Sequence, residues 1–161
     1  MSSGRRKGAG VARVLHALVM LSGSILLAGC HGARQATLGL RDGRLEPCPE
    51  SPNCVSSQAP DDAHRVAPFP FTGTAAEAIG RLTGIVRSLP RTSVVAATEN
   101  YLHAECRSAV FRFVDDVEFF ADETAGAIHV RSASRVGSSD LGVNRKRVEG
   151  LRARWSEQPR R

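Results

Sequence analysis

Residues 131–152 read "RSASRVGSSDLGVNRKRVEGLR" and hold six cations: Arg131, Arg135, Arg145, Lys146, Arg147 and Arg152. Guanidinium forks match phosphate and carboxylate oxygens. Ser132 and Ser134 alternate with the first arginines, and Gly137, Ser138 and Ser139 turn the chain. Ser139 or Asp140 then opens a helix bearing Asn144, Arg145 and Arg147. A strand–turn–helix junction exposes N–H groups, so this segment is a candidate anion-binding site. No phosphate-loop spacing accompanies it. The structural alternative pairs its arginines with Asp115, Asp116 and Asp140 and leaves the serines to cap the helix.

Asp115 and Asp116 lie in "FVDDVEFF". In a regular strand Asp115 shares a face with Phe111, Phe113, Val117 and Phe119, while Asp116 and Glu118 face the other way. A carboxylate among phenylalanines is costly unless paired. It is either half of an acid/base pair or is held by a guanidinium from the Arg131–Arg135 segment, and a bulge at the two aspartates would turn both outward. His103 and His129, with Glu105, could meet on one sheet face around a metal, but exposed polar sheet positions are the plainer reading. No serine-nucleophile elbow or paired-histidine metal motif occurs, and no cofactor or metal is expected.

Cys48 and Cys54 enclose five residues. A disulfide, free structural thiols or a functional cysteine could each explain them. Pairing is the preferred reading if the chain is exported, and the spacing is wider than usual for zinc. Cys106 is then left over, placed on an apolar strand face.

These residues need elements to position them. "CPESPNCVSSQAPDD" is loop, and "HRVAPFPF" is an extended strip. "TAAEAIGRLTGIVRSLP" is a helix, with Thr74 and Glu77 as a capping box and Pro90 as the stop. Strands are expected over 92–98, 101–108, 110–122 and 127–134, followed by a helix to about Trp155. The order predicts an α+β fold, a small antiparallel sheet packed against two helices and preceded by a Pro/Cys loop.

The chain has 161 residues, enough for one domain. Residues 1–29 carry Arg5, Arg6, Lys7 and Arg13 ahead of an apolar run that ends in Leu27-Ala28-Gly29-Cys30. This order resembles a bacterial lipoprotein signal peptide. The resemblance implies cleavage before Cys30, acylation of that cysteine with fatty acids such as palmitate, and a membrane anchor. His31 rather than Asp after the cysteine points to the outer membrane, facing the periplasm in a Gram-negative cell. The formal charge of +6 belongs largely to this segment: 22 Lys+Arg less the four in residues 1–29 leaves 18 against 16 Asp+Glu, a net +2. That balance argues against nucleic acid as a partner. Residues 30–46 read as a tether, 47–156 as the single domain and 157–161 as a tail.

"CPESPNCVSSQA", "FVDDVEF" and "RSASRVGSSDLGVNRKRV", in that order, resemble a bacterial family known as domain of unknown function 1499. The likeness runs from about Cys48 to Leu151, and Cys106 is outside its pattern. It implies an envelope location and no particular activity. The expectation is a lipid-anchored cell-envelope protein, a noncatalytic binding or accessory module whose candidate surface is the Arg131–Arg147 segment beside Asp115 and Asp116. Its partners would be the membrane, through Cys30, and an envelope anion or protein. The rival is an envelope hydrolase or transferase using Asp115 or Asp116 with Arg131 and Arg135.

Overall fold

A computed structural model describes residues 38–157. The segment expected to be a signal peptide, Cys30, the expected tether as far as Thr37 and the last four residues of the expected tail lie outside the described residues. Six strands and two helices follow in the order β1 (Cys54–Ser56), β2 (Phe69–Pro70), α1 (Ala75–Arg87), β3 (Thr92–Ala97), β4 (Tyr101–Arg107), β5 (Val114–Asp122), β6 (Ala127–Ser134) and α2 (Val143–Glu157). The fold is α+β, as expected.

All six strands join one antiparallel sheet. The run β3–β4–β5–β6 is a meander, and β1 and β2 lie one after the other along the outer edge of β6. Pro70 sits on that edge, where its missing N–H breaks no internal ladder. The β5–β6 hairpin closes at Gly126, whose φ of 59° suits glycine.

Helix α1 begins as the sequence indicates. The Thr74 hydroxyl accepts from the Glu77 amide while the Glu77 carboxylate accepts from the Thr74 amide. Its apolar stripe, Ala78, Ile79, Leu82, Ile85 and Val86, is buried on one face of the sheet. Helix α2 lies on the same face and buries Val148, Leu151 and Trp155, one stripe at helical spacing. The core between them takes Leu102 and Ala104 from β4, Val117 and Phe119 from β5, and Ile128 and Val130 from β6. Burial of these side chains is the main drive to collapse.

Three expectations need correction. The segment 48–62 is not all loop: Cys54–Ser56 form β1, because the open edge of β6 pairs with them. Residues 110–113 are not the start of β5: the strand begins at Val114, and Ser108 and Phe113 instead close a loop by paired hydrogen bonds. Arg112 adopts φ 56°, which no strand allows, so Phe111 and Phe113 leave the face assigned to them. The tether also ends sooner than expected. Between 38 and 46 the chain lies on the domain: Gly39 N–H donates to Glu118, Leu45 N–H donates to the Gln58 side chain, and Leu45 is buried.

That N-terminal strap runs on the sheet face away from the helices. Its far end is fixed by the Cys48–Cys54 disulfide, with Cα atoms 5.6 Å apart. Val55 joins the helix-side core, so Cys54 beside it points to the strap side. The sheet is therefore covered on both faces, which explains why β5 is almost wholly buried.

Candidate functional site

Strand alternation sorts the polar side chains before any contact is considered. Cys106, Asp115 and Ser134 stand opposite one another in register, and Cys106 belongs to the helix-side core. Asp115, Ser132 and Ser134 therefore face the helices, while His103, Glu105, Asp116, Glu118 and Arg131 face the strap.

On the helix side a network gathers around the start of α2. Arg147 donates to Asp115 at 2.5 Å, to the Asn144 side-chain oxygen at 2.6 Å and to the Ser132 hydroxyl at 3.1 Å. Asn144 is wholly buried and uses its amide nitrogen on the Asn53 carbonyl and the Ser134 hydroxyl, each at 3.0 Å. Asp140 accepts from the amides of Gly142 and Asn144, holding the entry to the helix. Arg145 points elsewhere, onto the Ala63 and Arg65 carbonyls. The network joins β5, β6, α2 and the residue just before β1.

On the strap side Asp116, 1% exposed, is held by three hydrogen bonds. Arg135 donates to both its oxygens, at 2.8 and 2.7 Å, and His103 lies 2.8 Å from it. Burial alone would raise its pKa, but the bonds from Arg135 and His103 outweigh burial and bring it down to about 2. Arg135 also donates to Glu105 at 2.6 Å, and Arg107 reaches the other Glu105 oxygen. The hydrogen bond to Asp116 raises the Arg135 pKa further above its ordinary range. Next along the sheet, Glu118 is fully buried and takes Tyr101 at 2.7 Å, Gly39 N–H at 2.8 Å and Arg131 at 3.4 Å. Burial, and then the Glu118 charge, push the Tyr101 hydroxyl far up in pKa.

Asp115 and Asp116 thus occupy opposite faces, with no bulge to bring them together. Asp115 takes Arg147 from α2 rather than an arginine of the 131–135 segment. Arg131 pairs with Glu118, and Arg135 with Asp116 and Glu105. The expected grouping is therefore two networks separated by the sheet. Both depend on residues outside that grouping: Asn53 and Arg147 on one side, and Tyr101, His103, Glu105 and Glu118 on the other. Strand parity puts Asp116 with Glu118, and Tyr101, in the same strand as His103 and Glu105, on one face with them. The register that joins the two sets is a long-range property.

His103 is buried rather than exposed. His129 is on the same face but bonds Ser57 and stacks on Phe120. Among the described residues, no three His, Cys, Asp or Glu side chains gather as a metal-binding group. Cys106 is a buried free thiol whose pKa burial raises, unlike a reactive cysteine. A cleft of about 610 Å³ opens elsewhere, between the disulfide segment and the loop after β1, and Arg44, Glu46, Glu50, Asp61 and His64 line it. None of Arg131, Arg135 or Arg147 lines that cleft.

No curated protein and no solved structure matches the chain. Residues 44–154, more than half of it, match the family described as "Protein of unknown function (DUF1499)", and the chain belongs to that family.

Proposed function

We propose, starting from membership of a family with no assigned activity, that the chain is a lipid-anchored cell-envelope protein whose domain is a noncatalytic binding or accessory module. One observation carries the noncatalytic half. Asp115 and Asp116 each meet an arginine inside the fold, on opposite faces of β5, and neither lines the cleft bounded by residues 44–64. A hydrolytic site needs an accessible carboxylate beside a substrate pocket. Here the same groups tie the fold together: Asp115 holds α2 to β5, and Asp116 holds β4 and the segment after β6 to β5. The envelope half is supported by the signal-like residues 1–29, the Leu27-Ala28-Gly29-Cys30 sequence and the Cys48–Cys54 disulfide, which suits an oxidising compartment.

Labelled palmitate fed to a bacterial host making the full chain tests the anchor. Wild type should take up label and run as a chain beginning at Cys30, and Cys30→Ser should do neither. Equal labelling of both chains, or of neither, would remove the lipid anchor from this reading.

A further inference from the structure

The ladder fixes which connections share an end of the sheet. Thr92 pairs with Cys106, Arg107 with Val114, and Asp115 with Ser134. The β3 entry at Arg91, the β4–β5 loop and the β6–α2 loop therefore lie together. The exposed large apolar residues among those described all sit in these last two loops or at the first residue of α2: Val110 (79% exposed), Phe111 (74%), Phe113 (42%), Leu141 (94%) and Val143 (46%). Single exposed apolar residues are ordinary, but five at one end of a small domain are not. The backbone holds them out. Phe111 and Phe113 stack on each other with ring centroids 5.5 Å apart, and Leu141 stands in a left-handed conformation, φ 53°.

Cations gather at this end too. Arg87, Arg91, Arg107, Arg112 and Lys146 lie in or beside these connections, Arg107 also reaching Glu105, and Asp140 is occupied in capping α2. The hairpin turns at the opposite end, 98–100 and 123–126, carry Glu99 and Glu123 and no cation, and the arginines toward that end, Arg81 and Arg152, lie over the Trp155 and Phe69 rings. Apolar side chains ringed by arginine suit a surface that is oily below and negative above.

We infer that this end of the domain docks on an anionic phospholipid bilayer, with Val110, Phe111, Phe113 and Leu141 entering the acyl boundary and the arginines meeting the phosphates. The inference rests on the proposed envelope location only for a bilayer within reach. It does not require acylation of Cys30.

The test uses the full chain in vesicles with brominated acyl chains, which quench tryptophan on contact. Trp155 is buried and supplies a constant background. In phosphatidylglycerol vesicles the emission added by Phe111→Trp should shift to the blue and be largely quenched. In phosphatidylcholine vesicles, and for Asn100→Trp at the far end, it should be neither. Adding Arg91→Gln and Arg112→Gln should weaken insertion about 30-fold, from the usual contribution of a basic residue near an anionic surface. Unquenched emission from Phe111→Trp in phosphatidylglycerol, as when the patch serves a protein partner instead, overturns the inference. So does equal quenching at both ends or in both lipids. Palmitate uptake is read separately, so loss of the lipid anchor and loss of this docking face cannot be confused.

Discussion

Asp116→Asn removes one charge and leaves the shape of the side chain. In the wild type that carboxylate sits 1% exposed between two donors from Arg135 and one from His103. The amide keeps one acceptor oxygen and turns a donor toward the other bond. Breaking a buried ion pair from one side typically costs 3–5 kcal/mol, because the surviving charge stays buried. Glu105 remains 2.6 Å from Arg135 and offsets part of that loss, so the lower end applies, about 3 kcal/mol. For a domain of this size that corresponds to a fall in Tm of about 12 °C. Urea unfolding followed through Trp155, the single tryptophan, gives the free energy directly. The denaturation midpoint should drop with the slope unchanged. A midpoint within about 0.5 kcal/mol of wild type, the range of an ordinary surface substitution, would refute the argument. Asp116 would then be retained for something other than folding, and the noncatalytic reading would lose its main support.

The same carboxylate sets a pH dependence. Its pKa falls from 3.8 to about 2 on folding, so its contribution is complete above about pH 4 and is lost as pH drops toward 2. Acid titration of wild type should show about 2 kcal/mol of this loss, and the same titration of Asp116→Asn should lack it. Asn144→Ala leaves Arg147, Ser132 and the Asn53 carbonyl short of partners, and should cost about 3 kcal/mol in the same urea assay. Reducing the Cys48–Cys54 ring frees a short loop, and should lower stability by about 2 kcal/mol in the chain-entropy account. Phe111→Ser, in contrast, alters an exposed tip and should change the unfolding midpoint by less than about 0.5 kcal/mol.

Local chemistry explains what was readable in advance. The Thr74–Glu77 box and the stripe from Ala75 to Val86 announce α1, because both signals lie within one element. The opposite facing of Asp115 and Asp116 follows from the period of a strand. What escaped depends on distant partners. The apolar alternation of Val110 to Phe113 imitates a strand, and only the left-handed turn at Arg112 ends the resemblance. Residues 38–46 show no period because their position is set by Glu118 and Gln58, not by their own pattern. Arg147 meets Asp115 only because α2 packs against β6 and β1, a placement its own segment does not encode. Its spacing of three from Asn144 was the one local hint, since residues three apart share a helix face.

The strap has a mechanical side. Tension arriving along the chain from its N-terminal side meets the fold first at the Gly39–Glu118 bond, then at the bonds from Arg44 and Leu45 to Gln58. These are single attachments that can be peeled off one at a time. At Cys48 peeling stops, because the disulfide passes the load covalently to Cys54 at the head of β1. From there the force acts on three register pairs with β6 and on the Asn53 bonds to Ser134 and Asn144. A pull that lifts the first nine described residues from the sheet therefore leaves the helices and the β3–β6 meander in place. Reduction of the disulfide would lengthen the slack before β1 is loaded by the five residues inside the ring.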